Sequence, residues 1–148
     1  MNYKSSIIQD QIALEKLQQF LKSNKLPAAD IKLEGSLFFG YHNAAGKLVG
    51  SGGLEFYGTT ALLRSIAVDE KLRGQSFGKK IVDDLTVKAK SLKIKDLYLL
   101  TETAHNYFLK KGFQDVPREM VPDVIKQTTE FSQVCPASAV VMKLTIDK

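Results

Sequence analysis

The chain has 148 residues, a formal net charge of +5, 44% hydrophobic and 25% charged residues, the profile of one globular domain (1–148) with a single sizeable core. No apolar run approaches the roughly 18 residues of a membrane-spanning helix, and Met1 to Ser6 lacks the apolar stretch of a secretory leader, so the cytoplasm is the expected location and no membrane partner is expected. One cysteine, Cys135, and two histidines, His42 and His105, exclude an internal disulfide and speak against a zinc site.

In chain order, residues 3–8 read as a short first strand. Asp10 is a good N-cap for a helix to Ser23, with Ala13, Leu14, Leu17, Phe20 and Leu21 on one face. Leu26 to Ile31 breaks that helix and adds one more helical turn. Ser36–His42 and Lys47–Tyr57 are strands joined by the turn Asn43-Ala44-Ala45-Gly46. Gly50, Gly52 and Gly53 inside the second strand predict a bulge or a close neighbour. Gly58-Thr59 turns the chain into a third strand at 61–68, and the short connections make the three an antiparallel meander.

The stretch from Leu62 to Leu92 organises the rest. A strand ending Ile66-Ala67-Val68 runs into a loop, Asp69 to Phe77, and then a helix with apolar positions at Ile81, Val82, Leu85, Ala89 and Leu92. Backbone N–H groups fed into a helix N-terminus make a site for an anion. Residues 71–95 carry eight Lys and Arg against Asp83 and Asp84, a balance suited to a polyphosphate or to a solvated lysine-rich face. No aromatic residues interleave with them, so nucleic acid is not the expected partner. Leu97 to Thr101 lacks polar alternation, as a central strand would, and the intervening helix makes it parallel to the 61–68 strand. A helix at 104–111 closed by Gly112, a short strand at 113–116, a helix near Pro122 carrying Val124, Ile125, Thr128 and Phe131 to Cys135-Pro136, and a strand at 139–144 complete the reading.

Arg73-Gly74-Gln75-Ser76-Phe77-Gly78 resembles the Arg/Gln-x-x-Gly-x-Gly/Ala loop of the GNAT family of acyl-CoA N-acyltransferases. Ala104-His105-Asn106-Tyr107-Phe108-Leu109-Lys110-Lys111-Gly112-Phe113 resembles the family's Ala-x-x-Phe-Tyr-x-x-x-Gly-Phe segment. Two motifs in the family's order say more than one glycine motif. The resemblance covers most of the chain. It implies an α+β fold: a mixed, mainly antiparallel sheet with a central β-α-β crossover and helices on both faces. Leu100 to His105, Phe108 and Lys111-Gly112-Phe113 are similar to the acetyltransferase domain of amino-acid N-acetyltransferases such as N-acetylglutamate synthase. Leu62 to Val68 and Cys135 to Ala139 are similar to a small single-domain subgroup known as arsenic-resistance N-acetyltransferases.

The resemblance implies acetyl-CoA as cosubstrate. Its pantetheine and thioester carbonyl would lie on backbone groups of Ile66, Ala67 and Val68. Its diphosphate would lie on the amides of Arg73, Gly74, Gln75, Ser76, Phe77 and Gly78, with Lys79 starting the helix. Thr101 takes the place of a pantetheine-binding asparagine. The chain departs from the pattern twice. Ser76 replaces the middle glycine, and Phe108 stands where many members have a general-acid tyrosine. Tyr107 is one residue off, about 100° round the helix, and matches the family's structural phenylalanine.

The implied reaction is attack of a primary amine on the thioester. Glu55 is the candidate base; alternatively it is a solvent-facing strand residue. Arg64 could bind a substrate carboxylate bidentately or form a surface salt bridge. Glu102, at the C-terminal end of the central strand, could contact substrate or favour a helix N-terminus. His105 reads as a surface residue. Cys135 has no histidine near it in sequence and is not expected to be a nucleophile. The expected function is acetylation of a small amino acid or an amino-bearing toxic compound by a homodimeric enzyme. The alternatives are a non-catalytic acyl-CoA sensor and acetylation of a protein lysine or N-terminus.

Overall fold

Period-two alternation along Leu37-Phe38-Phe39-Gly40-Tyr41 sends Phe38 to one side of a sheet and Phe39 and Tyr41 to the other, and the whole molecule is layered on that division. The computed structural model describes residues 3–26, 28, 31–72, 77–101, 104–128 and 139–146. Its elements are β1 (Lys4–Ile7), α1 (Gln11–Ser23), β2 (Ser36–His42), β3 (Leu48–Tyr57), β4 (Thr60–Val68), α2 (Phe77–Ser91), β5 (Asp96–Thr101), α3 (His105–Lys110), β6 (Gln114–Asp115), α4 (Asp123–Lys126) and β7 (Val140–Thr145), with 3-10 turns at Glu70–Leu72 and Arg118–Met120.

The seven strands lie in the order β1-β2-β3-β4-β5-β7-β6. Every neighbouring pair is antiparallel except β4–β5, the product of the α2 crossover. Helices α2 and α3 cover one face, with Ile81, Leu85 and Phe108 against Phe39, Leu63, Leu97, Leu99 and Met142. Helix α1 covers the other, with Leu14, Leu17 and Leu21 against Phe38 and Ala67. Further along that second face, Ile125 of α4 and Val121 pack on Leu62, Tyr98 and Val141. The expected α+β sheet, with its crossover and helices on both faces, is therefore present.

Local signals act as the residue types dictate. Asp10 caps α1 by accepting from the Ala13 N–H at 2.8 Å. Gly112, at φ +98, ends the α3 segment. The glycines of β3 mark close neighbours: a Cβ at Gly52 would lie 2.4 Å from Leu85 Cδ1, and one at Gly53 would lie 2.4 Å from Phe38 Cδ1.

One expectation needs correction. The helix after Pro122 is only Asp123–Lys126. Thr128 is buried, and its hydroxyl donates to the Ile125 carbonyl at 2.7 Å, a backbone contact that competes with helix continuation. Phe131, Cys135 and Pro136 lie outside the described residues. Residues 27, 29 and 30 of the turn expected after α1 lie outside the described residues, and α1 itself ends in a left-handed closure. Lys25 sits at φ 61, and the Leu26 N–H donates back to the Leu21 carbonyl at 2.9 Å, the pairing of a Schellman motif with lysine in glycine's usual place.

Candidate active site

The crossover leaves an opening at the centre of the sheet. Strands β4 and β5 are joined through Thr60↔Asp96, Ala61↔Leu97 and Leu62↔Tyr98, and the ladder stops there. Beyond it β4 follows β3 to Val68, while β5 follows β7 to Thr101↔Val140. The two parallel strands diverge into a wedge walled by 63–68 and 99–101. Ile66, Ala67, Val68 and Thr101 all stand on its walls.

A β-bulge shapes the β4 wall. Ser51 pairs with Ala67 and Gly53 with Arg64, so Ser65 and Ile66 together oppose Gly52. Ser65 adopts φ 60, a left-handed conformation that serines seldom take. The extra residue resets the alternation: Arg64 and Ala67 face the α1 side, whereas Ile66 and Val68 pack toward α2.

A chain of polar side chains backs the bulge. The fully buried Ser51 donates its hydroxyl to the Ser65 carbonyl at 2.8 Å. Arg64 Nε donates to Ser65 Oγ at 3.2 Å, and its NH1 donates to Glu55 Oε1 at 2.7 Å. The Tyr57 hydroxyl donates to Glu55 Oε2 at 2.6 Å. The structure thus brings Glu55 and Arg64 together as an ion pair, with side chains 15% and 1% exposed. Each serves as a counter-ion of the other. Glu55 opposes Leu62, and Arg64 lies two residues beyond it on the same face, a diagonal contact that strand register could have revealed.

The peptide between Ser65 and Ile66 is trans, like every described peptide, so its C=O and N–H point in opposite directions. With the carbonyl turned to the Ser51 hydroxyl of β3, the Ile66 N–H points away from that hydroxyl.

At the wedge's rim, the Asp69 carboxylate accepts from the Lys71 N–H at 3.0 Å. That bond, helped by the Lys47 charge, holds the Asp69 carboxyl below the usual carboxylate range. Sequence reading missed this turn, although Asp two residues before a partner N–H is a known turn signature. Phe77 is buried and stacks on Tyr3 with ring centroids 4.1 Å apart, anchoring the start of α2. The first turn of α2 holds no acidic residue, and Lys79 and Lys80 are exposed, an arrangement that favours a bound anion. Among the described residues a Cβ at Gly78 would meet only Val68 Cγ2, at 3.7 Å. Arg73, Gly74, Gln75, Ser76 and Glu102 lie outside the described residues.

On the β5 side, Thr101 Oγ1 accepts from the Ala104 N–H at 3.0 Å and leads the chain into α3. Phe108 is a core residue packed edge-on against Phe113. The Tyr107 hydroxyl is enclosed and has no hydrogen-bond partner among the described residues. Burial, together with the nearby Asp83 charge, raises its pKa and keeps it protonated. His105 Nε2 lies 2.6 Å from Asp115 Oδ1, both exposed. Among the described residues no cluster of His, Cys, Asp or Glu is arranged to hold a metal, and no helix is long and apolar enough to cross a membrane.

These features fit coenzyme A. A slender amide-bearing arm can lie between diverging strands as an added strand would, and the cationic start of α2 suits a diphosphate.

Comparison with known proteins agrees. An acetyltransferase (GNAT) domain model matches residues 34–115, more than half of the chain. The fold is similar to that of a GNAT-family acetyltransferase from Staphylococcus aureus Mu50 (TM-score 0.75, 19% identity, 99% of this chain and 100% of that one). It is also similar to N-acetylglutamate synthase from Neisseria gonorrhoeae solved with coenzyme A and N-acetyl-glutamate (TM-score 0.76, 12% identity, 100% of this chain and 36% of that one). Rv2747 of Mycobacterium tuberculosis, solved in complex with CoA, gives a TM-score of 0.72 at 20% identity over 98% of this chain and 99% of that one. The chain belongs to the acetyltransferase (GNAT) domain family, whose model spans more than half of it.

Proposed function

We propose that the chain, as one domain over 1–148, transfers the acetyl group to the primary amine of a small amino acid or an amino-bearing toxic compound in the cytoplasm. The observation that carries the reading is the wedge between β4 and β5, with the bulge at Ser65–Ile66 on one wall. Acetyl-CoA supplies the activated acetyl group when bound. The wall at Ile66, Ala67 and Val68 aligns the pantetheine arm, and the Ile66 N–H polarises the thioester carbonyl. The loop Arg73 to Gly78, with Lys79 and the N-terminus of α2, binds the diphosphate, and Thr101 lines the opposite wall. Glu55 and Arg64 act as one ion pair. Glu102 follows Thr101 in sequence and is assigned to the acceptor side. The likeness to N-acetylglutamate synthase, at 12% identity, speaks for the fold alone.

Purified protein incubated with acetyl-CoA and a panel of amino acids, amino-arsenicals and amine drugs should release thiol with at least one acceptor; no release with any amine overturns the reading. One observation favours a second reading. Phe108 is in the core where an acid would stand, as a non-catalytic sensor would allow. Calorimetric binding of acetyl-CoA without turnover would establish that role. Ser76→Glu places a carboxylate in the diphosphate loop and should abolish acetyl-CoA binding in calorimetry while leaving the circular dichroism spectrum unchanged. Unchanged affinity removes the loop from this role.

A further inference from the structure

We infer that Ser51 is a positioning residue for acetyl transfer: its hydroxyl holds the Ser65–Ile66 peptide in the turned orientation that aims the Ile66 N–H into the wedge. The inference rests on the proposed placement of the thioester in that wedge.

Ser51 is fully buried within a β-strand, and its hydroxyl donates across to β4 at 2.8 Å. A buried hydroxyl without a partner is costly, and this one is spent on the carbonyl of a left-handed, non-glycine residue. Ser65 lacks glycine's freedom at φ 60, so its surroundings must hold it there. Two contacts grip it. Ser51 takes the carbonyl, and Arg64 Nε takes the side-chain hydroxyl at 3.2 Å. Glu55 and Tyr57 in turn hold Arg64. The Ser51 contact acts directly on the carbonyl of the Ser65–Ile66 peptide, whereas the Arg64 contact acts on the side chain. A flip of that peptide would turn the N–H toward the Ser51 hydroxyl and present a carbonyl oxygen to the thioester oxygen, replacing attraction with repulsion.

The test compares wild type, Ser51→Ala and Ser51→Thr by amide NMR and by steady-state kinetics. In the ligand-free protein Ser51→Ala should move the Ser65 and Ile66 amide resonances and leave those of α1 and β2 in place. Acetyl-CoA should shift the Ile66 amide of the wild type more than coenzyme A does, and Ser51→Ala should lose that difference. Its kcat should fall about ten- to hundredfold, the scale of a misplacement near 1 Å, while KM for acetyl-CoA stays within about twofold because the arm and diphosphate contacts persist. Ser51→Thr, which keeps the hydroxyl, should restore kcat.

Should Ser51→Ala fail to fold, Ser51→Cys, nearly isosteric with a weaker donor, takes its place with the same expected direction. An unmoved Ile66 amide in the ligand-free variant, or a kcat within twofold of wild type, overturns the inference. A parallel loss of kcat and coenzyme A affinity in both Ser51→Ala and Ser51→Thr also overturns it, because that marks packing. If acetyl-CoA moves no amide of residues 63–68 in the wild type, the placement in the wedge fails, and the ligand-free spectra still decide whether Ser51 holds the peptide.

Discussion

Glu55→Ala should lower the unfolding free energy by about 3–5 kcal/mol, the usual cost of removing one partner from a buried ion pair. Arg64 has a side chain only 1% exposed, with NH1 on Glu55 at 2.7 Å. Removing the carboxylate takes from the buried guanidinium its charged acceptor at 2.7 Å, and takes an acceptor from the Tyr57 hydroxyl as well. Glu55→Gln keeps an oxygen for hydrogen bonding and should cost less, about 1–3 kcal/mol. Replacing the pair together by Leu and Met should recover much of the loss, since apolar groups of similar volume need no counter-ion. Urea denaturation followed by circular dichroism measures all three. A loss under about 1 kcal/mol for Glu55→Ala would mean that the pair behaves as an exposed one. The kinetic profile separates this role from proton abstraction. If Glu55 acts only as counter-ion, Glu55→Gln keeps the wild-type pH dependence of kcat/KM. A general base would take its limb of the profile with it.

Gly53→Ala should cost about 1–3 kcal/mol, the range for forcing an extra methyl into a packed core, with a fall in Tm of about 2–4 °C for each kcal/mol in a domain of this size. The added Cβ would lie 2.4 Å from Cδ1 and 2.5 Å from Cε1 of Phe38, a ring that is only 1% exposed. The ring cannot yield without disturbing Leu17 and Leu21 behind it. Combining Gly53→Ala with Phe38→Leu should return part of the loss, a coupling expected only of residues in contact. Gly78→Ala is the matched control. Its Cβ meets ordinary van der Waals contact at 3.7 Å in a helix, so it should be neutral or slightly stabilising. Scanning calorimetry ranks the variants. Equal Tm values for Gly53→Ala and wild type would show that the strand moves aside.

Much of this architecture is legible in the residues because it depends on local rules. Asp10, Gly112 and the alternation of Ser36–His42 act through their own backbone neighbours. The glycines of β3 advertise a close approach because nothing else explains three of them in a strand. Those glycines also signal the bulge between β3 and β4, but not that its extra, left-handed residue is a serine on β4. What sets it is the register between β3 and β4, a property of two segments at once. The Glu55–Arg64 pair is invisible for the same reason. Each residue alone supports a functional role, and only the register shows that they satisfy one another. Tyr107 and Phe108 form a further case. The family pattern orders an aromatic pair, but which ring fills the core is decided by packing against Phe113, and Phe108 takes it.

The short β4–β5 ladder has a mechanical consequence. Three rungs join a four-stranded half, β1 to β4, to a three-stranded half, β5, β7 and β6. The backbone is thus thinly joined at its midline, and apolar layers on both faces bridge the join. A molecule seated in the wedge with contacts to both walls works as a tie rod across that join. It couples two units that would otherwise fluctuate with some independence and adds its binding free energy to the cohesion of the whole sheet.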